Sequence, residues 1–361
     1  MIRFIHTGDL HLGLQFKNVS FSSEIAMDRR RELWETFERI VNYSIDRNAD
    51  FLLIAGDLFE SCYFTLGDIK RVRDILSKAS ELNVLISAGN HDYIGHKSIY
   101  RQVEWGENIK IFETDGLECK SFTELNTNIY GYSWNRAEIK ENKLLNDFPY
   151  SDRDKNNLLL IHGDISNNSN YLPMNINFLK DLEMDYIALG HIHKPRLFSQ
   201  RIAYCGCPEP LDFGETGIRG IIEGTIDQGI TNIEFIPFSK REFHEVTIDL
   251  NENLGYLDLI NRFENVSVGD ISKDFYRIKL KGYLQKDIDL NNIIGDVADK
   301  FYHIEIVDET IPDYDLDSLK NNNKDNIIGH FIKTMQDMDL DDKINKDALY
   351  YGLNVLLKDR Y

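Results

Sequence analysis

The sequence predicts an α/β fold: a mixed or two-sheet sandwich with outer helices, then a small α/β unit and terminal helices. Three observations carry this. Over roughly the first 240 residues, short apolar runs alternate with helical patterns. From residue 126 onward the strands include shorter ones without clear intervening helices. Finally, each dense polar cluster falls where an apolar strand ends, which is where open α/β sheets gather their ligand sites.

Residues 3–7, 51–55, 84–88, 158–161 and 186–189 read as buried strands. A helix is expected over 30–48, because Leu33, Phe37, Ile40, Val41 and Ile45 repeat on one face. A second helix is expected over 69–83, and shorter strands at 129–134, 201–205, 220–226 and 231–238. After a boundary near 239–242, a strand (243–250), helix (254–263), strand (275–283), helix (289–301) and strand (303–308) make a small α/β unit. Ile311-Pro312-Asp313 breaks the pattern, and the acidic, Asn-rich stretch to 324 reads as a linker. Two helical stretches close the chain, one carrying Ile328, Phe331 and Ile332, the other Leu349, Leu353 and Leu356. The expected divisions are 1–240, 241–310, a linker at 311–325 and a helical region at 326–361.

The 361 residues carry 41 Lys and Arg against 60 Asp and Glu, a formal charge of -19. That balance argues against a general nucleic-acid coat protein and against a protein held on anionic lipid. It is compatible with an enzyme that gathers hard cations. Cys62, Cys119, Cys205 and Cys207 are too few for a disulfide scaffold and are expected to be reduced. No apolar run approaches the roughly 18 residues that span a bilayer, and no leader is read at Met1–Ile5. The expectation is a soluble, cytoplasmic protein with no membrane partner.

The chemistry lies in five clusters: Asp9-Leu10-His11, Gly56-Asp57, Gly89-Asn90-His91-Asp92, His162-Gly163 and Gly190-His191-Ile192-His193. Five of the ten histidines fall in them. Imidazole nitrogens, carboxylates and one amide oxygen form a mixed donor set suited to manganese, iron or zinc. The donors are too many for one ion. Two ions sharing a carboxylate would clamp a phosphate and lower the pKa of a water.

In this order, the clusters resemble the calcineurin-like metallophosphoesterase superfamily. A narrower resemblance is to the SbcD-type DNA repair exonucleases, including the YhaO-like branch. It rests on residues 6–13, on Ala55-Gly56-Asp57-Leu58-Phe59, and on the stretch from Pro208 to Glu215. Cys207 stands where a serine is expected. The resemblance implies a four-layer sandwich, two mixed sheets flanked by helices, with a small α/β capping domain. It implies two divalent ions, Mn2+ foremost. Asp9, His11, Asp57 and His193 would hold one, and Asp57, Asn90, His162 and His191 the other. His91 would protonate the leaving oxygen, and Asp92 would hold the His91 ring.

The same resemblance implies a manganese-dependent DNA exonuclease that also nicks single strands, serving as the nuclease subunit beside an SbcC-type SMC-like ABC ATPase. A phosphatase or phosphodiesterase on small substrates, and a non-catalytic scaffold for the ATPase, are the competing readings. Self-association into a homodimer is a further expectation. Lys17, Lys97, Arg136, Lys194 and Arg196 follow motif strands and are candidates to meet backbone phosphates. Arg29-Arg30-Arg31 reads as a solvated helix start, with a positional role as its alternative. His6 is read as packing or supporting the ligands, and His96 as a solvated loop residue. Tyr93 stands open between stacking on a base and packing.

Overall fold

The structure is a computed structural model. It describes all residues except 18–20, 115, 142–151, 167–168, 252–253, 286–287, 313 and 359–361. The chain divides into two compact units, Met1–Glu242 and Phe243–Tyr361.

The first unit opens with β1 (Ile2–Thr7), α1 (Ser23–Asp46), β2 (Phe51–Ile54), α2 (Leu66–Ser77), β3 (Asn83–Ile86) and β4 (Ile109–Ile111). It continues with β5 (Glu118–Phe122), β6 (Thr127–Gly131), β7 (Asn156–His162), α3 (Ile176–Asp181) and β8 (Tyr186–Gly190). It closes with β9 (Arg196–Ser199), β10 (Ile202–Tyr204), β11 (Gly220–Asp227) and β12 (Ile230–Pro237). These strands build two six-stranded mixed sheets, ordered β12-β11-β1-β2-β3-β4 and β5-β6-β7-β8-β10-β9. β1 through β4 run parallel, and β11 and β12 add antiparallel edges.

The strand alternation builds the layers. Phe51 and Leu53 point between the sheets to meet Leu158, Leu160 and Tyr186. Leu52 and Ile54 point the other way, under Leu33, Phe37 and Ile40 of α1 and Ile69 and Val72 of α2. On the second sheet, Leu159 and Ile161 face outward and pack with Leu179 of α3. Helix, sheet, sheet and helix therefore stack as the expected four-layer sandwich.

α1 begins seven residues before the expected start. The Ser22 hydroxyl accepts from the Ile25 amide at 3.2 Å, and Glu24 sits favourably in the first turn. The Arg29–Arg31 run thus lies inside the helix. Arg29 is fully buried, donating to Glu32 and, at 2.8 Å, to the Pro210 carbonyl. Its reading as a solvated end fails because the helix face it occupies is the packed one. α2 is stopped at its start by a reciprocal cap between Thr65 and Asp68.

The second unit is a parallel sheet of β13 (Phe243–Leu250), β14 (Phe275–Leu284) and β15 (His303–Pro312). Its crossovers are α4 (Tyr256–Glu264) and α5 (Leu290–Val297), whose Leu259, Phe263, Ile293 and Val297 cover Ile248, Ile278 and Leu280. The expected linker at 311–325 is largely structured. Ile311 and Pro312 complete β15. Residues 316–322 form α6 (Leu316–Asn322), capped by Asp315, which accepts from Ser318 at 3.0 Å. Asp313 lies outside the described residues. Acidic residues mark that helix start, and Leu316 and Leu319 join a core with α7 (Ile327–Gln336) and α8 (Lys343–Lys358). Among the described residues, no helix is long and apolar enough to cross a membrane.

Candidate metal centre

The five clusters converge at the carboxyl ends of the central parallel strands. β1 leads into Asp9 and His11, β2 into Asp57, and β3 into Asn90 and His91. The second sheet supplies His162 as the last residue of β7, and β8 leads into His191 and His193. Asp9, His11, Asp57 and His191 all have positive φ, at 50°, 45°, 48° and 102°. Such non-glycine outliers cluster where structure over-determines a functional geometry. Close approach explains the glycines: a β-carbon on Gly56 would lie 2.2 Å from His162 Nδ1, and one on Gly190 1.7 Å from the Ala55 carbonyl oxygen.

Ligand-type atoms gather in overlapping groups, each with its atoms within 4.8 Å of one another. One is Asp9, His11 and His193; another is Asp57, His162 and His191; a third is His11, Asp57 and His91. Asn90 Oδ1 lies 3.0 Å from His162 Nε2 and 3.2 Å from His191 Nδ1. The Nε2 atoms of His11 and His193 face each other at 3.1 Å. Asp57 stands between the groups, with Oδ2 3.4 Å from His162 Nε2 and 4.0 Å from His11 Nε2.

The donor set fits metal ions, because His11, His162 and His193 are each tied at the nitrogen they do not offer. His162 Nδ1 meets the Ala55 carbonyl at 2.8 Å. His11 Nδ1 meets Glu60 at 2.7 Å, and His193 Nδ1 meets Glu215. Fixing one nitrogen sets the tautomer and aims the other.

The electrostatics match. Burial raises the Asp57 carboxyl, but neighbouring His162 and His11 outweigh it and hold Asp57 well below the usual carboxylate range. Burial lowers the His162 imidazole, but Asp57 reverses this and pushes it up to about 9. For His193, burial lowers while Glu215 and Asp9 raise, again to about 9. His191 is drawn down to about 4 by burial and by His162. Asp9 is raised by burial.

The expected partner of His91 is different. The Asp92 carboxylate is taken by the Gly89 amide at 2.6 Å, the Leu58 amide at 2.9 Å and the Tyr100 hydroxyl at 2.7 Å. It braces the loops carrying Asp57 and Asn90 and does not hold the His91 ring. Burial and nearby Asp57 push its carboxyl up to about 6. His91 Nδ1 instead meets Glu60 Oε2 at 3.0 Å, and this bond raises the imidazole. Glu60 therefore touches both His11 and His91. Its carboxyl is raised by burial but brought down to about 2 by the two rings.

Sequence reading passed over Glu60 and left Glu215 without a role. Glu60 lies three residues after Asp57, directly following the Ala55–Phe59 motif, and that proximity was the available signal. The stretch from Pro208 to Glu215 now has a structural reason. Glu209 receives Thr36 and the Lys240 amide beside α1, and Glu215 holds His193. Cys207 Sγ donates to Glu215 Oε2 at 3.2 Å, the task a serine hydroxyl would perform. His6 is buried between the sheets with Nδ1 2.8 Å from the Tyr186 hydroxyl. Lys17, Lys97, Arg136, Lys194 and Arg196 are exposed, with Arg196 stacked over Phe198. A cleft of about 550 Å3, bordered by His11, His91, His193, Lys17 and Tyr63, opens beside the centre.

A family profile described as calcineurin-like phosphoesterase matches residues 2–195, which include every donor named above. The chain belongs to that family. It is a metallophosphoesterase by membership, and so a phosphoester hydrolase. Among its relatives is an uncharacterized metallophosphoesterase, YhaO, of Bacillus subtilis, 28% identical over 268 residues. That match covers 70% of this chain and 64% of the relative, so the chain spans under two thirds of that protein. It is also similar to two DNA double-strand break repair proteins named Mre11. The one from Halobacterium salinarum is 25% identical, over 75% of this chain and 69% of the relative. The one from Methanocaldococcus jannaschii is 26% identical, over 75% and 77%.

Proposed function

We propose that the protein is a manganese-dependent phosphodiesterase that acts on DNA, as a double-strand exonuclease and single-strand endonuclease in repair or recombination. The observation that carries the hydrolytic part is the pair of donor groups meeting at Asp57, with His91 beside them on the cleft. The names of the Mre11 relatives support the DNA part. In this reading Asp9, His11, Asp57 and His193 hold one ion, and Asp57, Asn90, His162 and His191 the other. Bound divalent ions supply charge neutralisation at the phosphate and a water acidified toward neutral pH.

The chain's own residues do the rest. Glu60 and Glu215 keep His11 and His193 in the tautomer that offers Nε2. His91 has Nδ1 on Glu60, which leaves Nε2 without a hydrogen-bond partner among the described residues, and it donates that proton to the leaving oxygen. Its half-exposed ring suits a group that must meet substrate. A partner of SbcC type, an SMC-like ABC ATPase, is proposed for the C-terminal helices. Ile344, Tyr351 and Val355 of α8 remain exposed, at 77%, 71% and 54%, although the helix buries Leu349 and Leu353.

The test uses purified protein with Mn2+, end-labelled duplex, single-stranded DNA and an aryl phosphodiester. Nucleotide release by wild type, lost in Asp57→Ala and in His91→Ala, is expected. Aryl-ester turnover with intact DNA would leave only a small-substrate phosphodiesterase. His91→Ala is expected to keep its metal where Asp57→Ala loses it, and equal metal loss would remove His91 from the acid role.

A further inference from the structure

A second cavity, of about 520 Å3, is lined in part by the loop that follows His91. Ser61, Phe64, Tyr93, His96, Lys97 and Ile99 line it. That volume is within the roughly 300–1,000 Å3 typical of small-ligand sites. Its wall is joined to His91, because the Ser61 hydroxyl donates to the His91 carbonyl at 2.6 Å. The floor loop is held in place: the Ile94 amide donates to the Trp134 carbonyl at 2.7 Å, and Ser98 closes a turn onto Gly95 at 3.1 Å. Gly95 lets one edge of the Tyr93 ring lie close to the loop, since a β-carbon there would come within 3.3 Å of it.

The two tyrosines near the centre differ. Tyr63, on the cleft side, already carries the Lys17 ammonium 5.0 Å from its ring centroid. Tyr93 is 38% exposed and has no ring or cation partner among the described residues. Lys97 likewise has no carboxylate partner among the described residues, although the chain carries a net charge of -19. An open aromatic face beside an unpaired ammonium is the combination that binds single-stranded nucleic acid without sequence preference.

We infer that this cavity is a nucleobase subsite, in which Tyr93 stacks on the base next to the scissile phosphate and Lys97 meets a phosphate oxygen. The inference rests on the DNA reading above and assigns that substrate a place. It makes Tyr93 a binding residue, two positions from the proposed acid His91.

The test measures inhibition of aryl phosphodiester hydrolysis by the full chain with Mn2+. Thymidine 5′-monophosphate, thymidine 3′-monophosphate and deoxyribose 5-phosphate are the probes. At least one nucleotide is expected to bind more tightly than the sugar phosphate. Tyr93→Ala is expected to weaken that nucleotide by about fivefold or more and to leave the sugar phosphate unchanged. Tyr93→Phe should keep wild-type values, and Lys97→Ala should weaken nucleotide and sugar phosphate alike. The inference is overturned if neither nucleotide exceeds the sugar phosphate, or if Tyr93→Ala weakens both equally. If no divalent metal supports turnover, it is the phosphodiesterase reading that fails. Calorimetric titration with the same nucleotides then decides the subsite: Tyr93-dependent binding supports it, and its absence overturns it.

Discussion

The floor and the rim of the metal centre are built on opposite principles. On the floor, Asp9, His11, Asp57 and His162 are each at most 2% exposed, and His11 and His162 have their second nitrogen tied down. On the rim, the His91 ring is held by one carboxylate, and Tyr93 and Lys97 are exposed on the loop that follows it. The floor is ordered before any ligand arrives, whereas the rim is free to adjust to one. Changes on the floor should therefore remove metal and activity together, and changes on the rim should scale substrate binding.

The sharpest way to break that contrast is Asp57→Asn. Asp57 is the carboxylate that two of the donor groups share, and the His91 backbone amide donates to its Oδ1 at 2.8 Å. Removing its charge should lower kcat/KM by about 10^3-fold or more, several kcal/mol of lost transition-state stabilisation. Metal content measured on the same sample should fall below that of wild type. Full metal with full activity would remove Asp57 from the centre.

Glu60 tests the border between floor and rim. Glu60→Gln keeps the shape but loses the charge that both His11 and His91 contact. An outer partner of this kind typically accounts for about 10–100-fold in metal affinity or activity. Asp92→Asn should instead act on stability, by about 1–3 kcal/mol, since an amide cannot accept from Gly89, Leu58 and Tyr100 alike. Thermal melts and steady-state kinetics on the pair separate the two roles. If Asp92→Asn changed the kinetics and Glu60→Gln did not, the expectation from sequence would be restored.

That reversal shows what sequence carried and what it did not. The convergence of Asp9, His11, Asp57, Asn90, His162, His191 and His193 was legible because each ends an apolar strand or follows one within a few residues, and that local pattern is written in the chain. Glu60 was not, because its role depends on two rings brought together from β1 and β3. The main sandwich strands were legible from apolar runs. β4, β5 and β9 were missed, because they are short and mostly half buried or exposed. α6 was hidden by its Asn-rich outer face, although its Asp315 cap was visible.

The floor also predicts a proton count. Metal ligation needs neutral imidazoles, yet neighbouring carboxylates outweigh burial and push His162 and His193 each up to about 9. Their protonation stabilises the fold fully below the ordinary value of 6.5, and that contribution is lost as pH rises through 9. Mn2+ binding near pH 7 should therefore release about two protons, and apparent affinity should climb with pH up to about 9. Calorimetry in buffers of different ionisation enthalpy reads the release directly. Zero release at pH 7 would mean that those two rings are not ligands.

The smallest expected effect lies behind His193. Glu215 uses Oε1 for the His193 ring and Oε2 for the Leu211 amide, at 2.7 Å, and for the Cys207 thiol. Burial keeps that thiol protonated, so it acts as a donor. Cys207→Ser substitutes a hydroxyl donor at the same place, and metal affinity should stay within about twofold. Cys207→Ala leaves Oε2 with one donor fewer, and a weak bond of about 1 kcal/mol corresponds to about fivefold in affinity. Metal titration of the two variants beside wild type gives the ordering. If alanine were as good as serine, Glu215 would be fixed by the backbone alone. The floor would then reach one layer less deep behind His193 than behind His11.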